Sequence, residues 1–553
     1  MKKLLNLLLS IVLTGCTLSI PDSGKVGYGN KLGTSPEGFA RTVVSPPKPG
    51  SSPNDLVKDF FITAAGDQGA YSTSRAYLTP EIRNVWNPNE NVRIYRETPI
   101  LQNTKNDRER EYSTFAGILD SFLDGTGRLY PIDNRQAIER FTFRKVEGEW
   151  RIASLSNGIA LNYNDFNRTY RPQNIYYFDP TGTFLVPDRI YLSVVQSLAN
   201  PLIKAITQGP SQKLSLSVRS YLPQDISQSS QVTKNAQGRA VVNLTGSNVS
   251  SADLPKFLAQ ILWTLKNDDE IKSVKVFLNG KSLNNSLQTQ NLNFYQRYVS
   301  SLSENSNFYA LHENVLERYQ ISGNSPLVEK VKLPSKDFAI SCDERMIASI
   351  QSDGNLNIYK NGKKFFSLAT SGSFSSLHWD CLNNLWLVEN VYGVSKILRI
   401  VDGKSVERIV LAIPRVAEIT SFRMNREGVR GLVATNSGNR NVLYSVLFRP
   451  SQGKDTLFVA TSPPWVGGRV SDMSWSSPWQ LFLLDQKENR IWQLDIESGI
   501  EQIISGVNNP FELSAAPGAP LVVTERGGKL IRASSTFGWS EFGIGNHPSY
   551  PGG

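Results

Sequence analysis

Apolar residues follow three regimes along this chain: a short N-terminal block, then stretches at helical or alternating spacing, then a repeat of short strands. In the first, Lys2-Lys3 precedes an apolar run of about ten residues, Leu4 to Leu13, against the roughly 20 that a membrane-crossing helix needs. A charged start, a short apolar run and a small-residue end make a secretory leader. The run closes on Leu13-Thr14-Gly15-Cys16, so residues 1–15 are expected to be removed and Cys16 to become an acylated N-terminus. Two or more acyl chains hold a protein durably on a membrane surface. Residues 16–51 carry Pro21, Pro36, Pro46, Pro47 and Pro49 among Gly, Ser and Lys, the composition of a flexible linker.

Helical spacing begins at 55–65, where Leu56, Val57, Phe60, Phe61, Ala64 and Ala65 line one face behind Pro53-Asn54. Thr79-Pro80 predicts a second helix, with Thr79 as N-cap and Pro80 at the first helical position. Alternation over 140–146, a Glu147-Gly148-Glu149 turn and a return over 150–153 predict a hairpin. Residues 52–170 therefore read as an α+β domain, an NTF2-like or cone-shaped sheet wrapped on its helices.

A second α+β unit is expected over 176–295. Pro187-Asp188 introduces a predicted helix carrying Ile190, Val194, Val195 and Leu198, interrupted or restarted at Pro201 and ended by Gly209-Pro210. Leu214, Leu216 and Val218 alternate as a strand, and so do Ala240, Val242 and Leu244. Leu254, Phe257, Leu258, Ile261, Leu262 and Leu265 share one helical face, packed on the sheet of its own domain. Val274, Val276 and Leu278 alternate up to Asn279-Gly280, a tight-turn pair.

From about 305 to 545 the pattern repeats. Apolar strands begin at Val315, Leu356, Ile397, Val442, Ile491 and Leu530, at intervals of 41, 41, 45, 49 and 39 residues. An earlier apolar-x-apolar strand recurs in register at Ile340/Cys342, Leu377/Trp379, Phe422/Met424, Met473/Trp475 and Leu513/Ala515. Two registered signals at one period of 40–50 residues describe a β-propeller. Six blades are expected if the first and last strands share the closing blade.

Composition narrows the chemistry. Among 553 residues there are three cysteines and three histidines, too few and too scattered for a metal site by spacing. Cys342 and Cys381 are expected in adjacent blades as buried thiols, with a disulfide as the alternative. The formal net charge of +10 is spread without a basic block, so no nucleic-acid partner is expected. Ser45 with Lys48, and Ser451 with Lys454, match S-x-x-K only formally. No nucleophile elbow, zincin helix or calcium loop is present, which argues against an enzyme and against any cofactor. Asp343 and Asp380 follow equivalent strands and read as turn caps. Trp379 and Trp475 occupy the repeated apolar position and read as core, whereas Trp465 in Pro463-Pro464-Trp465-Val466-Gly467-Gly468 is the candidate partner contact.

In order, Leu13-Thr14-Gly15-Cys16, Ile20-Pro21-Asp22-Ser23-Gly24, Pro49-Gly50-Ser51-Ser52-Pro53-Asn54-Asp55-Leu56-Val57 and Ala76-Tyr77-Leu78-Thr79-Pro80 resemble the LpqB lipoproteins of actinobacteria. Leu185-Val186-Pro187, Gly209-Pro210 and the segment Val274-Lys275-Val276-Phe277-Leu278-Asn279-Gly280-Lys281 resemble a GerMN domain. The resemblance implies an accessory lipoprotein that associates with the extracellular part of the MtrB sensor histidine kinase, influencing the regulator MtrA, cell-wall homeostasis and division. It implies a location on the extracellular face of the cell membrane, held by the lipid on Cys16. The alternative reading is a lipoprotein that binds a cell-wall polymer.

Overall fold

The computed structural model describes residues 44–553, apart from 68–69, 108–109, 195–196, 284–294, 304–305, 322–325, 414–417, 438–439, 452–454, 462–467, 500 and 536–537. Helix Pro53–Gly66 starts where Ser52 Oγ accepts the Asp55 amide, with Pro53 in the first turn. Its apolar face lies on a six-stranded sheet, Phe61 meeting Phe115 and Phe141 edge to face. The 140–153 hairpin forms from the ends of Leu129–Val146 and Glu149–Ser154, turning at Glu147 and Gly148, both with positive φ. Pro80–Arg83 is a single turn, and no Thr79 side-chain cap forms.

In the middle unit two sequence expectations fail. Residues 185–193 form a strand, Leu185–Ser193, paired antiparallel with Tyr170–Phe178, and the helix begins only at Ala199–Thr207. The strand is buried at nearly every position, and a continuous apolar run fits a buried strand as well as a helix. Pro201 sits in the first turn of the helix, where a missing N–H is tolerated. Leu214–Leu216 is a short 3-10 turn, not a strand. The remaining expectations hold: Arg239–Thr245 and Ser273–Leu278 pair in parallel, joined by helix Leu254–Leu265. Asn279-Gly280 turns with φ of 51° and 77°. Helix residue Gln260 is fully buried, accepting from the Tyr221 amide and donating to the Tyr176 carbonyl.

The repeat region is a ring. Inner strands Asp337–Ile340, Ser373–Trp379, Ile419–Met424, Asp472–Trp475, Pro510–Ser514 and Asn546–Ser549 pack each on the next, and the last returns to the first. Three more antiparallel strands extend outward from each. The closing group combines Asn546–Ser549 from the far end of the chain with Asn307–His312, Val315–Gln320 and Pro326–Lys332. Because every inner strand runs the same way, all turns into the second strand lie on one face. The strand starts, with the turns between second and third strands, lie on the other.

Cys342 and Cys381 follow successive inner strands on the first of these faces. They form a disulfide with Cα atoms 5.0 Å apart, which corrects the expectation of free thiols. One repeat of separation placed equivalent turns side by side, within bridging distance.

Candidate functional site

Strand polarity gives the propeller two unlike faces. On the first, Arg430 is buried and donates to the Pro187 carbonyl of the middle unit while pairing with Glu427. Trp479 lies between the Arg189 and Arg430 guanidiniums, at 4.6 and 4.3 Å, and donates to Asn174 Oδ1 at 3.1 Å. Arg189 also pairs with Asp495 at 2.9 Å and Glu497 at 3.4 Å. Burial pushes the Glu497 carboxyl up to about 7, against the pull of Arg189. Val186, Leu214, Val429 and Leu447 add an apolar patch across the same joint.

The axial opening on this face is closed. Arg426 donates to the carbonyls of Ser300 and Pro551 and, at 2.9 Å, to Cys342 Sγ. Leu302 donates its amide to the Pro517 carbonyl, and Gly552 donates to Ile340. A Cβ on Gly552 would meet Cys342 Sγ at 2.6 Å, and its φ is 67°, so the plug requires glycine there.

The other face leaves the axis open as a blind cavity of ≈ 370 Å³. Asp337 and Asp472, the first residues of two inner strands, and Glu512 from a third converge in it with Arg423 and His547. His547 Nδ1 lies 2.9 Å from Glu512 and 3.8 Å from Asp337, and Arg423 lies 3.4 Å from Asp472. Although burial alone would lower it, His547 is raised to about 9 by its bond to Glu512 and the nearby carboxylates. Several of these groups stitch strand to strand: Asp472 accepts the Leu513 amide and Glu512 the His547 amide. Ser474 and Ser514 do the same deeper in the channel, accepting from Ala515 and Tyr550.

On the same face, Tyr392 caps the turn between Asn384–Val391 and Val394–Val401 and is 93% exposed. Its φ is 49°, a left-handed position that a bulky side chain occupies at a cost. An aromatic before Gly393, where a hairpin turn favours Asn, was the sequence signal, and periodicity alone passed over it.

The residues singled out from sequence divide cleanly. Cys16 and Trp465 lie outside the described residues. Trp379 and Trp475 are core. Asp343 and Asp380 are turn caps: Asp380 accepts from the Leu382 and Asn384 amides and from Trp386 Nε1, and burial pushes it up to about 6. Lys48 of the first S-x-x-K pairs with Asp59, while Lys454 lies outside the described residues. His378 is a stitch, with Nε2 accepting the Met424 amide and Nδ1 at 2.7 Å from the Ser376 carbonyl, and burial holds it well below its usual range. Among the described residues no three His, Cys, Asp or Glu gather as metal ligands. His547 shares no hydrogen bond with a described serine hydroxyl.

Two α+β units ahead of a propeller closed by its own last strand define a multidomain propeller protein. Family models match it in the same order: "Lipoprotein LpqB, N-terminal domain" over 46–167, "Sporulation and spore germination" over 174–284 and "Lipoprotein LpqB beta-propeller domain" over 320–551. The chain belongs to the LpqB lipoprotein family. Lipoprotein LpqB of Thermobifida fusca is 25% identical, covering 98% of this chain and 97% of its own. That of Corynebacterium jeikeium is 24% identical over 93% and 90%. Among solved structures, TolB from Acinetobacter baumannii aligns with 55% of this chain and 86% of its own at a TM-score of 0.35 and 14% identity. The relatives are lipoproteins, and among the described residues no helix is long and apolar enough to cross a membrane.

Proposed function

We propose that this chain is a lipid-anchored accessory protein on the extracellular face of the cell membrane that binds and modulates a sensor histidine kinase of the MtrAB type. Through that kinase it affects cell-wall homeostasis and division. The observation that carries the reading is the asymmetry of the propeller: one face is occupied by the chain's own middle unit, and the other presents an open axis and, on the same face, the exposed Tyr392. A rigid disc with one free face is suited to holding another macromolecule. No catalytic step is assigned.

The test is retention of the purified chain on an immobilised kinase extracellular domain and, in parallel, on purified peptidoglycan. Retention on the kinase domain is expected, and in cells Cys16→Ala is expected to leave the membrane fraction and lose the kinase as a cross-linked neighbour. Salt-sensitive retention on peptidoglycan alone would overturn the reading. It would favour the second one, wall-polymer binding, for which a groove of ≈ 830 Å³ between the first two units speaks. That groove is lined largely by uncharged groups such as Asn89, Asn200, Gln228, Ser230 and Tyr191, which suit sugar hydroxyls.

A further inference from the structure

We propose that the blind cavity on the propeller axis receives a lysine or arginine side chain carried by a flexible segment of a partner protein. The proposal stands whether or not that partner is a kinase. The cavity falls in the size range of small-ligand sites, about 300–1,000 Å³, and its inner end is closed by residues 550–553. A guest therefore enters from the free face and stops inside.

Charge selects the guest. Asp337, Asp472 and Glu512 bring three carboxylates, against the cations of Arg423 and His547. The interior is one positive charge short. Lys336, at the rim, is exposed to water, where its charge is screened. An anion entering would face three carboxylates whose counter-ions are already engaged.

Geometry selects the receiver. Asp472 and Glu512 each hold a neighbouring strand's amide, whereas Asp337 uses Oδ1 for the Phe338 amide. Its Oδ2 has no hydrogen bond among the described residues, and the side chain is 33% exposed to the cavity. Phe374 lines the wall, and Phe511, 37% exposed, stands at the mouth. These rings suit the alkyl stem of a long cation and can face its charged head.

Burial raises Asp337 to about 6, with His547 and Arg423 opposing the shift and Glu512 and Asp472 adding to it. A cation from outside favours the ionised carboxylate, so binding should strengthen from pH 5 to pH 7.

The full-length chain, immobilised in detergent, is offered three fluorescein-labelled pools of randomised twelve-residue peptides whose central residue is fixed as arginine, lysine or glutamine. Retention of the arginine and lysine pools is expected to exceed that of the glutamine pool by about tenfold or more at pH 7, and by less at pH 5. Asp337→Asn should bring all three pools to the glutamine level. Asp343→Asn, a carboxylate on the opposite face, should change nothing. Lys336→Glu alters only an exposed rim side chain and should raise retention of the cationic pools. Equal retention of the three pools, or full retention by a folded Asp337→Asn chain, overturns the proposal. Should Asp337→Asn lose its cooperative melt, Lys336→Glu decides: unchanged or lower retention overturns it.

Discussion

The two faces of the propeller are built from equivalent positions of one repeat, yet the chain uses them in opposite ways. On the face of the first turns, charged side chains are matched across the joint to the middle unit: Arg430 and Glu427 are buried together, half-buried Arg189 pairs with Asp495 and Glu497, and Trp479 packs against two guanidiniums. On the face of the strand starts, charged groups are gathered around an opening and left partly wet. Buried charge in matched pairs fixes a domain orientation, because removing one partner strands the other. Charge around an opening stays available to a guest. The difference separates a structural joint from a face left open.

The largest effect is expected at the joint. Trp479→Ala removes a ring packed by two cations and is expected to cost about 3–5 kcal/mol, read as a lower denaturation midpoint with the middle unit unfolding apart from the propeller. A single unchanged transition would show that the face is not a joint. Next, removing the Cys342–Cys381 bridge by a double Cys→Ala substitution is expected to cost about 4 kcal/mol from the loop it closes. Thermal melts with and without reductant should agree with that loss.

The open face carries a pH dependence of its own. His547 is raised from 6.5 to about 9 in the folded chain, so its contribution is fully present below pH 6.5 and is lost as pH rises through about 9. His547→Gln should therefore flatten the fall in stability between pH 6.5 and 9, measured by chemical denaturation at fixed pH values. The smallest effect is at Tyr392: Tyr392→Asn relieves a left-handed turn position and should stabilise the fold by about 1 kcal/mol. The same substitution should weaken partner capture. A variant that loses stability would show that the tyrosine is a packing residue.

Much of this architecture was legible in the chain. The interval between Val315, Leu356 and Ile397 exposed the propeller because each group must bury a four-stranded unit of constant length. Likewise, the stripe from Leu254 to Leu265 marked a helix packed on its sheet. What periodicity lost was the strand Leu185–Ser193, which lies between two cores and so shows no alternation. The disulfide was hidden for a different reason, since spacing puts Cys342 and Cys381 in neighbouring turns but does not give the distance between those turns. The axial cavity could not be read at all. Asp337, Asp472, Glu512 and His547 are separated by long stretches of sequence, and only ring closure brings them to one axis.

A photo-cross-linking residue placed at position 392 on the open face, and separately at position 213 beside the joint, reports in intact cells which face meets the kinase. A kinase adduct is expected from position 392, disappearing in the Cys16→Ala background, and none from position 213. An adduct from position 213 alone, or one from position 392 that survives loss of the anchor, would contradict that expectation.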